Sequence, residues 1–164
     1  MDHLSTLAAE LGAALKARGF MLALAESCTG GMAAQAVTSV AGSSAWFDRG
    51  FITYSNAAKI EMLGVSAQTL ERFGAVSEQT AREMAEGVLK HSHAHIAGSI
   101  TGVAGPDGGT VEKPIGTVCF AWAGHNLPLI ATTKHFQGNR HEIRQQAAAA
   151  LMTELIERLT QAHQ

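Results

Sequence analysis

Three nucleophile-type side chains, Ser27, Cys28 and Thr29, stand together in the segment LALAESCTGGMAAQAV, residues 22–37. An apolar run precedes them, and a glycine pair and a helical pattern follow, which predicts a strand that turns into a helix. Backbone N–H groups at a helix start have no partner within the helix, and the helix dipole is positive there. We therefore expect this turn to offer both a nucleophile and donors for an anion or a developing oxyanion.

Each of these side chains also has an ordinary structural role. Ser27 or Thr29 can simply cap the following helix, which is the commoner function of these residue types. Cys28, isolated in an apolar run, is typical of a small buried hydrophobe. The segment lacks the patterns G-x-x-x-x-G-K-[ST] and G-x-G-x-x-G, so neither of those phosphate-binding loops is predicted.

A second cluster lies in ITYSNAAKIEML, where Tyr54 ends a predicted strand and Lys59 lies one turn into a short helix. A lysine that is buried beside a hydroxyl loses proton affinity and can act as a general base, because burial penalises the charged amine. The alternative is an exposed lysine on a surface helix. The stretch 51–60 carries no other charge, which favours the base.

A third cluster is the glycine- and proline-rich stretch SITGVAGPDGGTVEKPIGT, with Thr101 at the end of a predicted buried strand. Open α/β sheets bind ligands at the carboxyl ends of their strands, so Thr101 and backbone near Gly105 can reach a substrate. A surface loop without function fits the same composition. A fourth cluster is Arg140 and Arg144, four residues apart on one helical face, which suits a phosphate or carboxylate or else a surface ion pair with Glu142.

Neither a metal site nor a disulfide framework is predicted. The alternating histidines His91, His93 and His95 have no convincing further ligands, and histidines at a helix end are ordinary. Cys28 and Cys119 lie far apart in different apolar segments, and reduced thiols of a cytosolic protein are the plain interpretation.

The bulk composition predicts one domain over residues 1–164. A net charge of -2 argues against a nucleic-acid partner, whereas a small anionic ligand needs only one or two placed cations. Charged residues make up 16% of the chain against a norm of about 25%, so we expect a homo-oligomer that covers part of the surface. No signal peptide or membrane span is visible, and we expect a cytoplasmic protein without a membrane partner.

Helices and strands alternate along the chain, which predicts a three-layer α/β/α sandwich with a mixed, mainly parallel sheet. The last two strands, joined by a short turn, supply its antiparallel part. The predicted helices are 3–18, 30–40, 56–63 with Asn56 as cap, 66–73, a longer one from Ser77, and 139–159. The predicted strands are 20–25, 46–54 with an interruption at Gly50, 95–101, 117–123 and 128–136.

Four segments, in this order, resemble the C-terminal domain of the competence/damage-inducible protein A family, which includes nicotinamide-nucleotide amidohydrolases. They are AESCTGG, GSSAWFDRGFITYSNAAK, GAVSEQTAREMAEG and TGVAGPDGGTVEKPIGTV, and the likeness covers nearly the whole chain. The chain looks like the stand-alone form of that domain. The resemblance implies hydrolysis of the carboxamide of nicotinamide mononucleotide to nicotinic acid mononucleotide and ammonia, with no metal or organic cofactor.

The resemblance also implies a role for each cluster. Ser27 is then the nucleophile and Lys59 its base, with Tyr54 assisting in the same hydrogen-bonded group. The remaining implied contacts are an oxyanion site at Thr29, Gly30 and Gly31, a substrate wall from Thr101 and the loop 102–109, which includes Gly105, and a phosphate site at Arg140 or Arg144.

One departure from the family pattern is Gly138-Asn139-Arg140, where relatives commonly have Gly-Asp-Arg. Asn139 can still cap the last helix, although a carboxylate that would orient Arg140 is lost. Two other functions stay open at this stage. One is a nucleotide-binding module without turnover, and the other is a hydrolase of a different small carboxamide.

Overall fold

The computed structural model describes residues 2–161 of the chain. Within them lie six α-helices, a short 3₁₀ turn at Ser43–Ala45 and five strands. The helices are α1 (His3–Arg18), α2 (Met32–Thr38), α3 (Asn56–Leu63), α4 (Ala67–Phe73), α5 (Glu78–Lys90) and α6 (Arg140–Gln161). The strands are β1 (Leu22–Glu26), β2 (Phe47–Ile52), β3 (Ile96–Gly102), β4 (Thr117–Gly124) and β5 (Leu127–His135).

The strands form one mixed sheet in the order β2-β1-β3-β4-β5. Strand β1 pairs in parallel with both β2 and β3, while β4 is antiparallel to β3 and to β5. All strands except β4 therefore run in one direction. The predicted three-layer fold with a mixed, mainly parallel sheet is confirmed.

The two faces of the sheet are packed differently because successive strand residues point to opposite sides. Leu22 and Leu24 lie in the larger hydrophobic cluster with α1, α2 and α6, together with the bulky Phe120 and Trp122 of β4. The opposite face is lined by alanines of β1, β3 and β4, and α5 packs against them. Small side chains on that face let α5 lie close to the sheet.

The local signals that end and begin helices are mostly where the sequence predicts them. Gly19 closes α1 in a left-handed conformation, with φ of 65°. Ser66 and Ser77 cap α4 and α5 through their side chains. Two expectations are wrong: Ser55, rather than Asn56, caps α3, and β2 runs through Gly50 without interruption. The Ser55 side chain is one residue earlier and already reaches the N–H of Ala58.

The carboxyl ends of the three parallel strands meet at one edge of the sheet. In the register of β1, Glu26 lies beside Ile52 of β2 and Ile100 of β3. The residues at or just after the end of each strand are thereby brought together, which places Ser27, Tyr54 and Thr101 at the same edge. Among the described residues, no helix is long and apolar enough to cross a membrane.

Candidate active site

The side chains of Ser27 and Lys59 meet at this edge. Lys59 Nζ lies 3.0 Å from Ser27 Oγ, although the residues are separated by 32 positions in the chain. The Ser27 and Lys59 side chains both belong to the wall of a cavity of about 310 Å³. A hydroxyl in hydrogen-bond contact with an amine is the arrangement that a serine nucleophile and its base require.

Lys59 is buried, and no carboxylate within residues 2–161 forms a salt bridge or hydrogen bond with its amine. Only 1% of it is exposed, and its amine contacts Ser27 Oγ and the backbone carbonyl of Tyr54, at 3.2 Å. Burial lowers the pKa of Lys59 from its ordinary 10.5, because the charged amine loses its hydration. Burial therefore shifts the equilibrium toward the neutral amine, which is the form that can accept a proton.

The position of Lys59 is fixed by the short helix that follows β2. Ser55 begins α3 by accepting from the N–H of Ala58, and Gly64 ends it in a left-handed conformation. Leu63 at the end of α3 packs on Gly87 of α5, where any added Cβ would clash with the Leu63 carbonyl. This close contact holds α3 against α5 and keeps Lys59 facing inward.

Tyr54 contributes to the cluster through its backbone. Its carbonyl oxygen accepts from Lys59 Nζ and lies 3.4 Å from Ser27 Oγ. Its side chain is 60% exposed, and the phenol oxygen accepts from Arg140, 3.1 Å away. The phenol is thus part of the cavity rim, whereas the expected hydrogen bonds with Ser27 and Lys59 involve the main chain.

The start of α2 is not open to a ligand, contrary to expectation. The carboxylate of Glu26, the last residue of β1, accepts from the N–H of Ala33 at 3.0 Å and of Ala34 at 2.9 Å. Glu26 is 1% exposed, so a buried negative charge already satisfies the positive end of this helix. Neither Ser27 nor Thr29 caps the helix, which begins at Met32 rather than at Gly30.

The turn between Glu26 and α2 still carries free donors. The N–H of Gly30 donates to the Ser27 carbonyl, and that of Met32 donates to the Thr29 carbonyl. Within residues 2–161, the N–H groups of Cys28, Thr29 and Gly31 have no protein acceptor. An oxyanion site in this turn would therefore use those groups, and not the Gly30 N–H.

The two other nucleophile-type side chains of the turn are poorly suited to attack. Burial raises the pKa of the Cys28 thiol to about 11, so the thiol stays protonated at neutral pH. The Thr29 hydroxyl is fully buried and makes no hydrogen bond within the described chain. Of the three, Ser27 alone has an amine as a direct partner among the described residues.

The two arginines of α6 have separate surroundings. Arg140 lies in the cavity wall and donates to the Gly105 carbonyl at 2.6 Å as well as to the Tyr54 phenol. Arg144 is outside that wall and donates to the carbonyls of Cys28 and Thr29, at 3.0 and 2.9 Å. Arg140 is thus the arginine that can reach a bound anion.

Thr101 and the glycine-rich loop form the far side of the cavity. The Thr101 hydroxyl donates to the Ala75 carbonyl at 2.8 Å, so it is held rather than free. Lys113 donates to the Phe73 carbonyl and fixes the outer part of the loop to the end of α4. The lining residues are Ser27, Cys28, Tyr54, Asn56, Lys59, Ala75, Val76, residues 101–105, Asp107, Gly108 and Arg140.

Sequence reasoning missed Glu26 and assigned Asn56 a different role. A buried glutamate at a strand end has no distinctive local pattern, although an acid directly before a Ser-x-x-Gly-Gly turn is a usable signal. Asn56 does not cap α3 but lines the cavity. Asn139 caps α6 as expected, since its side chain accepts from the N–H of Glu142 and the Glu142 carboxylate accepts from the Asn139 N–H.

The histidine series has ordinary structural contacts. His95 Nδ1 accepts from the N–H of Met21, and His91 Nδ1 lies 2.9 Å from the Gly87 carbonyl. Over residues 2–161, no group of three or more histidine, cysteine, aspartate or glutamate side chains is placed to hold a metal ion.

Comparison with known proteins gives matches over nearly the whole chain. A family model described as the CinA C-terminal domain matches residues 4–159. The nicotinamide-nucleotide amidohydrolase PncC of Enterobacter agglomerans is 57% identical over 156 residues, which cover 94% of this chain and 95% of that protein. Its counterpart in Escherichia coli (strain K12) is 53% identical and covers 93% of each. The crystal structure of competence/damage inducible protein CihA from Agrobacterium tumefaciens superposes with a TM-score of 0.93 at 43% identity, covering 96% of each chain.

Proposed function

The chain belongs to the CinA C-terminal domain family, and on that basis we propose that it deamidates nicotinamide mononucleotide to nicotinic acid mononucleotide and ammonia. Curated relatives named nicotinamide-nucleotide amidohydrolase are 43% to 57% identical to it over nearly its whole length. They support assignment as a hydrolase of this class. The catalytic residues are assigned from the geometry of the cavity, and the substrate from the class of amidohydrolase that these relatives are named for.

The observation that carries the proposal is the contact between Lys59 and Ser27. Their side-chain nitrogen and oxygen are 3.0 Å apart in the wall of a cavity, and the amine has no carboxylate partner among the residues described. A buried lysine of ordinary pKa would be almost wholly protonated at neutral pH and unable to take a proton. Burial lowers the Lys59 pKa and so raises the fraction of neutral amine that can act as the base.

In the first step, Ser27 Oγ attacks the carboxamide carbon while Lys59 Nζ accepts the hydroxyl proton. The carbonyl oxygen becomes an oxyanion, which the N–H groups of Cys28 and Thr29 stabilise, since these directly follow Ser27 and have no protein acceptor within residues 2–161. The Tyr54 carbonyl keeps the Lys59 amine oriented during the transfer, since it accepts one N–H of that amine. No phenol is needed for this step.

In the second step, the protonated Lys59 returns its proton to the amide nitrogen, the C–N bond breaks and ammonia leaves. Water then attacks the acyl-Ser27 ester, again with Lys59 as the base. The acyl–oxygen bond breaks, the carboxylic acid forms and Ser27 recovers its proton. Atoms and charges balance with water as the only other reactant.

The phosphate of the substrate would lie at the rim beside Arg140. This guanidinium is exposed enough to exchange its contacts with the Gly105 carbonyl and the Tyr54 phenol for phosphate oxygens. Arginine suits phosphate because its planar donors can bind two oxygens at once. The cavity of about 310 Å³ is at the small end of the range for ligand sites, roughly 300 to 1,000 Å³, which suits a mononucleotide.

The test is ammonia release from a short panel: nicotinamide, nicotinamide riboside, nicotinamide mononucleotide and the dinucleotide. We expect the mononucleotide to be preferred. Binding of the mononucleotide without ammonia release would instead indicate a binding module, and preference for another amide would indicate a different hydrolase.

Matched variants separate the catalytic pair from general damage. Ser27→Ala and Lys59→Met should each lower kcat by about 10³-fold or more, by analogy with removal of a nucleophile or its base. Ser44→Ala and Lys16→Met change exposed residues of the same types and should keep native kcat. Normal ammonia release by Ser27→Ala would rule out the proposed nucleophile.

A further inference from the structure

Arg144 binds the turn that carries Ser27 from outside the cavity wall. Its guanidinium donates from Nε to the Cys28 carbonyl and from Nη2 to the Thr29 carbonyl, so one planar group holds two consecutive peptide units. Gly30 leaves room for this contact, because a Cβ there would lie 3.3 Å from the Arg144 guanidinium nitrogen. Arg144 is not part of the cavity wall.

The orientation of these carbonyl groups determines where the N–H groups of the same peptide units point. In a trans peptide the C=O and the N–H of the same plane point in opposite directions. The Cys28 carbonyl shares its plane with the Thr29 N–H, which has no protein acceptor within residues 2–161. Because Arg144 holds the carbonyl, the Thr29 N–H must point away from Arg144.

Glu26 fixes the same turn at its other end. Its buried carboxylate binds the first turn of α2 through the N–H groups of Ala33 and Ala34. The turn is therefore held between an anion that anchors the helix and a cation that anchors the carbonyls. The side chains of Glu26 and Arg144 do not line the cavity, whereas Cys28, at the carbonyl that Arg144 holds, does.

We propose that Arg144 is a positioning residue that builds the oxyanion hole, by holding the Cys28–Thr29 peptide so that the Thr29 N–H, with the Cys28 N–H, faces the reacting carbonyl. This inference rests on the proposed function in one respect, the Ser27 attack on an acyl carbon. It assigns the arginines different tasks: Arg140 binds the phosphate and Arg144 acts through the backbone. The positive charge on the carbonyl also polarises the peptide and strengthens the N–H as a donor.

Replacing each of the two arginines should change a different kinetic constant. Arg144→Met should lower kcat for nicotinamide mononucleotide by about 10- to 100-fold with KM changed less than about threefold, since one well-placed oxyanion donor contributes about 10²- to 10³-fold. Arg140→Met should raise KM about tenfold or more and change kcat little. With nicotinamide riboside, which has no phosphate, the Arg140 effect should disappear and the Arg144 effect should remain.

Two further measurements separate positioning from loss of structure. Arg144→Lys keeps the charge and one carbonyl contact, so it should recover part of kcat. Binding of nicotinic acid mononucleotide, measured by calorimetry, should stay within about twofold of native for both Arg144 variants. If Arg144 only stabilised the fold, its replacement would weaken product binding and lower kcat together.

Labelling of Ser27 by a fluorophosphonate, followed by mass spectrometry, tests the inference without the proposed substrate. In this reaction Ser27 Oγ displaces fluoride from phosphorus through a five-coordinate transition state, and the negative charge that builds on the phosphoryl oxygen needs the same donors. Labelling of the native chain but slow labelling of Arg144→Met supports the inference, even if the native chain releases no ammonia from nicotinamide mononucleotide. Equal labelling rates for the two overturn it and leave the proposed function intact. A native chain that is neither labelled nor active overturns both.

Discussion

Replacing Lys59 by methionine should abolish activity and stabilise the fold at the same time. The amine is 1% exposed, makes contacts with Ser27 Oγ and the Tyr54 carbonyl, and has no acidic partner among the described residues. Methionine has a similar length and fills the same space without a charge. The unfolded chain hydrates the ammonium fully, whereas the folded chain does not, so the native protein is penalised for keeping a lysine there.

The size of the effect follows from the lowered pKa. Each unit by which the folded pKa lies below that of the unfolded chain destabilises the fold by about 1.4 kcal/mol at neutral pH. For a domain of this size, each kcal/mol corresponds to about 2 to 4 °C in Tm. We therefore expect Lys59→Met to raise Tm by a few degrees at pH 7.

The pH dependence has a definite sign. The folded protein binds the Lys59 proton more weakly than the unfolded chain, so native stability rises as pH increases between the folded pKa and the ordinary 10.5. The advantage of Lys59→Met is complete below the folded pKa and disappears near pH 10.5. Thermal unfolding of both proteins between pH 6 and 10.5, with Lys16→Met as the control, measures this difference. A lower Tm for Lys59→Met at pH 7 would refute the reasoning, because it would mean that the buried amine is a stabilising contact.

The remaining predictions concern the pH dependence of catalysis, the reactivity of Cys28 and the role of Glu26 at the start of α2. The kcat/KM should rise about tenfold per pH unit up to the Lys59 pKa and level off above it, at a pH below 10.5, because only the neutral amine is the base; a flat profile from pH 6 to 10 would contradict that role. Cys28, whose pKa burial raises to about 11, should react with iodoacetamide at pH 8 at least about tenfold more slowly in the folded than in the unfolded protein, as peptide mass spectrometry would show. Glu26→Ala should lower the free energy of unfolding by about 1 to 3 kcal/mol in urea titrations, since it leaves two N–H groups of α2 unpaired, one buried and one half-buried. Glu10→Ala, at an exposed position on α1, is its control and should change that free energy little.

Most of the fold could be predicted because hydrophobic periodicity and caps are local signals. The helix 3–18 closed by Gly19 and the caps at Ser66 and Ser77 follow from adjacent residues alone, and the structure has them. Strand β2 continues through Gly50 because a parallel partner on one side supplies its hydrogen bonds, which the sequence does not display. The Ser55 cap was missed because Ser and Asn are both good caps and stand side by side.

The residues of the candidate site could be predicted from the sequence, but the contacts among them could not. That Ser27 and Lys59 are adjacent depends on the register of β1 and β2, a long-range feature. That Tyr54 acts through its carbonyl, and that Arg144 holds the turn from behind, depends on side-chain directions that no spacing rule gives. The contact of Glu26 with the start of α2 could not be predicted for the same reason, because a strand residue and a helix end come together only in the folded chain.

Lys59, the proposed base, is connected to the sheet through β2, which is an edge strand. Strand β2 is paired on one side, with β1. The short segment that connects it to α3, which carries Lys59, follows directly in the chain. Peripheral strands separate at lower free energy than central ones, so local fraying there pulls the amine from Ser27 while the central strands stay paired. Catalytic competence therefore depends on an edge strand, and we expect inactivation on warming to precede unfolding of the core.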